Sequence, residues 1–388
     1  MSNTHDPHDS SSAARPVTVV PAYPPPRPRR SPWPWLFCVL MLLLLGISVA
    51  FNFFLLAALV PHQSDTVNEK FYSGKKESHN KVAVVEIDGV IMEGMTTFAR
   101  KEIDKAASDD AVKAVVLRIN SPGGTITASD DLHRRLVELR DGNKEKKHAA
   151  KPLVVSMGSL TASGAYYISM PAHTLLAERT SLTGSIGVYA ALPNVTELGQ
   201  KVGFKMMVIK AGQVKDSGSP FHDMTPHEQE LWQDMVDHAY AAFLSVVEEG
   251  RPQLKGKLLE TITIDEKLPI RNDKGELSKQ VNYRRYRADG GIFTADQAKQ
   301  FGLIDRIGYL DDAIKTAREK ANLGEDYQAV VYKRPPSLFE ALAGARTTVP
   351  DRAWNPAQLA RAAVPRLWYL APQAELAGLL GAMDDSDP

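Results

Sequence analysis

The sequence predicts an α/β domain with a largely parallel sheet, preceded by one transmembrane helix. Three observations carry that expectation. From Lys81 onward, apolar runs of strand length alternate with charged segments whose apolar residues recur at helical spacing. Turn-forming residues close several of those runs. Upstream lies a long uncharged apolar stretch, Trp35 to Val60, reading WLFCVLMLLLLGISVAFNFFLLAALV.

The N-terminal 34 residues are rich in proline and polar side chains, too poor in apolar area to build a core, and are expected to be a disordered tail. Roughly 20 apolar residues cross a bilayer, whereas the apolar region of a secretory leader is about 7–15 residues long. Residues 35–60 therefore read as an uncleaved anchor. Arg27, Arg29 and Arg30 precede it, while only Lys70 and Lys75 are basic between Pro61 and Lys75. That asymmetry places the N-terminus in the cytoplasm and the rest outside the cytoplasmic membrane. Residues 61–80 read as a linker, 81–325 as the folded domain and 326–388 as a C-terminal extension.

Within the domain, KVAVVEIDGVI is a strand ending in an Asp88-Gly89 turn, and TTFARKEIDKAASDD a helix. VKAVVLRINSPGG is a second strand running into a Pro-Gly-Gly turn. ASDDLHRRLVELR is a helix with Ser129 as N-cap and Leu132, Leu136 and Leu139 on one face. KPLVVSM is a third strand, SGAYYISMPA a helix start, and HTLLAERTSLTGSIGVYA a strand and turn. A helix capped by Thr225 carries Leu231, Met235, His238 and Phe243. Residues 254–287 form a charged, weakly periodic excursion. TADQAKQFGLIDRIGYLDDAIKTAREKA reads as helix, glycine stop, short strand and helix. LWYLAPQAELAGLLGAM, near the end, is expected to be a docking helix rather than a second span.

Composition narrows the function. Lys+Arg and Asp+Glu are both 46, for a formal net charge of +0, so no electrostatic footprint points to nucleic acid. One cysteine, Cys38, cannot form an intrachain disulfide, and the 10 histidines show no zinc-ligand spacing. No metal, nucleotide or other cofactor is called for.

Two segments could do chemistry, both at carboxyl ends of strands, where α/β domains gather active groups. In NSPGG, residues 120–124, the reading is either an ordinary turn or a set of exposed amides aimed at a developing oxyanion. In VSMGSLTASGAYYIS, Ser163 precedes a helix start, with Ser159 and Ser156 as competitors: Ser156 as a buried strand hydroxyl, Ser159 as a helix cap. A serine nucleophile needs a base. His133, His148, His173 and His222 sit in unremarkable local settings. Lys215, in KAGQVKDSGSPF, is either a solvated loop charge or a base.

In this order, LRINSPGG, VSMGSLTASGAYYIS, TSLTGSIGV, KAGQVKD and TADQAKQFGLIDRIG resemble the SppA-type signal peptide peptidases, across residues 81–320. The resemblance implies a ClpP/crotonase-like fold and a membrane-anchored serine peptidase of the short, single-repeat form. It places the nucleophile on Ser163, the base on Lys215, oxyanion donors on Gly123, Gly124 and Gly164, and a lysine-orienting role on Ser185. It also implies remnant signal peptides as substrates and a homo-oligomeric ring in which serine and lysine meet across a subunit interface. Asp289-Gly290-Gly291 and the enlarged 254–287 segment depart from the family pattern at the peptide-binding rim. Two other readings share the fold: a crotonase-like acyl-CoA enzyme, and a non-catalytic membrane scaffold.

Overall fold

A computed structural model of the chain describes residues 33–59, 67–271, 275, 277–334 and 367–370. By its contacts the chain divides into Met1–Val60 and Pro61–Pro388. In the first unit, α1 (Trp33–Leu59) is a 27-residue helix. At 1.5 Å per residue it is about 40 Å long, more than the hydrocarbon core of a bilayer. Its Trp35–Asn52 window has a mean hydropathy of 2.3, and this is the one helix among the described residues long and apolar enough to cross a membrane. Of the expected disordered tail, residues 1–32 lie outside the described residues, and Trp33 and Pro34 already belong to α1.

The second unit begins with β1 (Asn68–Gly74) and β2 (Lys81–Asp88), then α2 (Thr97–Ser108) and β3 (Val112–Ser121). A three-residue strand, β4 (Gly123–Thr125), leads into α3 (Ile126–Asp141). Then come β5 (Leu153–Ala162), the single turn α4 (Gly164–Tyr167), β6 (Thr174–Ala177), β7 (Leu182–Gly184) and β8 (Tyr189–Ala190). After α5 (Thr196–Lys201) and the long α6 (Pro226–Gly250), β9 (Thr261–Leu268) and β10 (Lys279–Tyr286) pair antiparallel. The chain continues through β11 (Ile292–Thr294), α7 (Ala295–Gln300), β12 (Arg306–Ile307), α8 (Leu310–Lys320), β13 (Gln328–Lys333) and β14 (Leu367–Leu370).

The main sheet runs β1-β13-β2-β3-β5-β6-β12, with β7 beside β5 and β11 beside β7. From β13 to β12 every neighbour is parallel, and β1 joins antiparallel at one edge. This is the expected α/β class. β2 shows why its sequence is apolar without alternation: Ala83 and Val85 pack into the core under α2 and α3, while Val82 and Val84 pack on the other face against Ala313, Ile314 and Ala317 of α8. A strand buried on both faces has no polar side to show.

Several expectations change. The linker contains β1, and the C-terminal extension begins with β13, so both ends of the segment 67–333 close one sheet edge. Thr125, not Ser129, caps α3, its side chain accepting from Ala128 N at 3.4 Å, while Ser129 is buried inside the helix. The Pro-Gly-Gly turn straightens into β4. The 254–287 excursion holds the β9–β10 hairpin. Leu367–Leu370 is a strand where a helix was expected; the rest of that prediction lies outside the described residues. Thr225 caps α6 as read, in a full capping box with Glu228.

Candidate active site

The parallel register brings the two chemically suggestive segments side by side. Ser121, the last residue of β3, pairs with Thr161 of β5, and Ala162 pairs with Gly184 of β7. Buried side chains brace this corner. Thr161 Oγ1 donates to Ile119 O (3.0 Å) and Thr183 Oγ1 to Thr161 O (2.7 Å). Asn120, which sequence reading passed over, accepts from Ser159 Oγ (2.7 Å) and from Leu160 N (3.2 Å). Ser159 is therefore tied to β3 and does not cap α4. Ser156 is the buried strand hydroxyl expected, accepting from Arg118 Nη1 at 3.0 Å.

Ser163 stands apart from both. Its backbone has φ 56° and ψ −118°, a conformation that costs a non-glycine residue about 1–3 kcal/mol. Its amide donates to Gly184 O at 2.8 Å, which locks that geometry. The residue is 1% exposed, yet its hydroxyl has no hydrogen-bond partner. Burying an unpaired hydroxyl costs stability and gains none. Strain and desolvation thus meet on one oxygen, at the carboxyl ends of the central strands. A second strained residue, Ser185 (φ 53°), follows Gly184 and is held to the Asp289-Gly290-Gly291 turn. Its amide donates to Gly291 O and its hydroxyl to Gly290 O, both at 3.0 Å. Burial alone would raise the Asp289 carboxyl, but hydrogen bonds from Arg285 and the Gly291 amide hold it below the usual range.

The glycines divide their work. Gly123 takes φ 100°, and its amide donates to Ser121 Oγ at 3.1 Å, so it shapes the turn and is not a free donor as expected. Gly124 lies so close to Ile91 that an added Cβ would meet the Ile91 carbonyl oxygen at 1.8 Å. Ile91 takes the carbonyl of Gly123 (2.9 Å) and the amide of Thr125 (2.8 Å). Peptide groups alternate along an extended strand, so the Gly124 amide faces the other way. Gly164 opens α4, where a first-turn amide has no partner within the helix.

Among the described residues, no base is hydrogen-bonded to the Ser163 hydroxyl. His173 Nδ1 accepts from Leu153 N (3.2 Å), His133 stacks 5.0 Å from the Tyr167 ring, and His222 is held by the carbonyls of Asp216 and Asp223, each at 2.9 Å. His148 lies in a loop bridge with Asn143. Lys215 is exposed, on an arm between β8 and α6. Both flanks of its loop are pinned: Asp216 pairs with Lys210, and Ser217 Oγ accepts from Trp232 Nε1 of α6 at 3.0 Å. Asp216, His222 and Glu228 cluster with ligand atoms within 4.8 Å, but Glu228 Oε2 already accepts from the Thr225 amide and hydroxyl. Capping explains that carboxylate. Beside Ser185, a cleft of about 480 Å³ runs past Tyr189 of β8 to Tyr240 of α6.

The sequence profile of Peptidase family S49 matches residues 145–265 and 278–324. An inferred protease of Methanocaldococcus jannaschii is 38% identical over 221 residues, 57% of this chain and 60% of the relative. An inferred protease of Synechocystis is 31% identical over 282 residues, 72% of this chain and 89% of the relative. An Enterococcus faecium protein named as an inferred signal peptide peptidase SppA is 29% identical over 273 residues, 68% of this chain and 70% of the relative. The chain thus spans about three fifths of the archaeal relative and most of the cyanobacterial one. The motif resemblance to SppA-type peptidases is borne out. The chain belongs to Peptidase family S49.

Proposed function

We propose that this protein is a membrane-anchored serine peptidase in which Ser163 attacks the carbonyl of an extended peptide and Lys215 of a neighbouring copy serves as base. The observation that carries the reading is the Ser163 hydroxyl, buried and unpartnered on a strained backbone. Attack transfers the serine proton to the neutral amine and forms a tetrahedral intermediate, whose oxyanion is held by the amides of Gly124 and Gly164. Collapse expels the amine product with a proton from the lysine. Water activated by the same amine then hydrolyses the acyl-enzyme.

The arm supports a base supplied by another copy. Met207 is 81% and Ile209 95% exposed, with Val202 at 69% and Leu198 at 60%. Such an apolar surface beside a pinned loop marks an interaction site. A second copy covering it would desolvate the Lys215 amine, the condition under which a lysine works as a base. In this reading Ser185 orients that amine. The anchor α1 and the basic residues before it support a single-pass protein in the cytoplasmic membrane, N-terminus inside, with remnant signal peptides or other membrane-associated peptides as substrates.

The test is hydrolysis of a fluorogenic apolar peptide by the full chain in detergent. The parent is expected to be active, and Ser163→Ala inactive with its oligomeric state unchanged. Full activity in Ser163→Ala would refute the nucleophile assignment.

A further inference from the structure

We infer that the peptide groove between β4 and β8 is occupied by the chain's own residues Leu367–Leu370, which lie in it as an added strand and hold the site closed. The inference rests on the peptidase reading above. β14 pairs antiparallel with β4, setting Trp368 opposite Thr125, Tyr369 opposite Gly124 and Leu370 opposite Gly123. On its other side it pairs antiparallel with β8, setting Leu367 opposite Ala190 and Trp368 opposite Tyr189. β14 is the middle strand of this three-stranded sheet, and β4 and β8 do not pair with each other. Take β14 away and both flanking strands present open edges, the arrangement by which sheets capture extended peptides.

The register makes the occupant a peptide mimic. The Gly123 carbonyl and the Thr125 amide are spent on Ile91, so the Gly124 amide and carbonyl face β14, with Tyr369 as register partner. The amide assigned to the oxyanion is therefore met by the main chain of the same polypeptide. β4 is Gly-Gly-Thr, so recognition at its first two positions comes from the backbone alone. The run LWYLA at 367–371 is uncharged and apolar, matching the class of peptide proposed as substrate.

The experiment compares the full chain with a Trp368→Pro/Tyr369→Pro variant, and with a second variant carrying Gly-Ser-Gly-Ser at 367–370. Proline removes ladder donors from a central strand without touching the main sheet. Two quantities are read: amide hydrogen exchange at Gly123–Thr125 and Tyr189–Ala190, and kcat/KM on the fluorogenic peptide. Expected are exchange at Gly124 faster by about tenfold or more in both variants, a several-fold higher kcat/KM, and competitive inhibition by a synthetic peptide of residues 364–373. Exchange and hydrolysis equal to those of the parent in both variants would overturn the occupancy and leave the peptidase standing. Exchange that responds while hydrolysis is absent from all three proteins would overturn the peptidase reading and keep the occupancy.

Discussion

The corner around Ser163 and the arm around Lys215 are built on opposite plans. At the corner, Ser121, Thr161, Ser163 and Thr183 are all buried, and parallel strands hold them in register. On the arm the backbone is pinned by local bonds, yet its apolar side chains, Ile209 above all, face outward. A cluster that is covered owes its geometry to its own chain. One that is uncovered owes its final geometry to whatever covers it. On the proposed assignment, the nucleophile and its donors are assembled on folding, and the base only on association.

The largest effect should come from splitting the two regions between copies. Ser163→Ala and Lys215→Ala should each lower kcat/KM by about 10³-fold or more. When the two inactive proteins are dissociated and reassociated in equal amounts, about a quarter of the sites regain both groups if each site draws its lysine from a neighbour. Activity that stays at zero in verified mixed oligomers would break the comparison, since the pair would then lie within one copy.

Next, Gly124→Ala must push β4 off Ile91, because the Cβ has no room. It should lower kcat by about 10²–10³-fold, the cost of one misplaced oxyanion donor, with oligomerisation intact. Wild-type turnover in that variant would remove Gly124 from the site.

The body, unlike the arm, also stores a titration. Glu102 of α2 is 1% exposed, Oε2 has no partner, and burial pushes its carboxyl up to about 8, with Glu86 adding to the rise. The folded state keeps this proton where the unfolded chain releases it, so stability falls as pH rises from about 4.5 to 8 and levels off above. Glu102→Gln should remove that slope. The variant should match the parent near pH 5 and exceed it by about 3–4 kcal/mol at pH 8 in denaturant titrations. Parallel curves across that range would show that Glu102 is ionised and paired in the folded protein.

The smallest effect is expected from Tyr166→Phe. The buried hydroxyl donates to Leu303 O at 2.7 Å and ties α4 to the turn before β12. Its loss should cost about 1–2 kcal/mol by leaving that carbonyl unpaired, and should lower kcat only modestly, because Tyr166 orients α4 rather than touching substrate.

Much of this architecture could be read from local pattern. Strands β2, β3, β5 and β6 announced themselves as apolar runs, because strands buried on both faces carry no alternation to misread. What escaped was non-local. Asn68–Gly74 reads as a polar linker because edge strand β1 exposes most of its residues and is held by pairing with β13. Ser129 lost the cap of α3 to Thr125 because the helix starts four residues earlier, as soon as β4 ends. In α6, Leu231 and Met235 keep the helical spacing of a core face but are exposed; of its apolar residues only Phe243 and Val247, nearer its end, are fully buried. Spacing defines a face of a helix without saying what will cover it.

By itself the sequence determined an uncharged helix, the run of parallel strands, the glycines at their carboxyl ends and Ser163 as the serine to watch. Those follow from hydrophobic period and backbone sterics, which act over a few residues. Only the tertiary structure decided that Gly123 spends its amide on Ser121 while Gly124 turns its own away from Ile91 toward β14. It alone left the Ser163 hydroxyl buried without a partner, stood Lys215 apart on an uncovered arm, and brought residues 367–370 between β4 and β8. Those outcomes turn on which peptide groups meet across a register, and register joins residues too far apart in the chain for any local pattern to record.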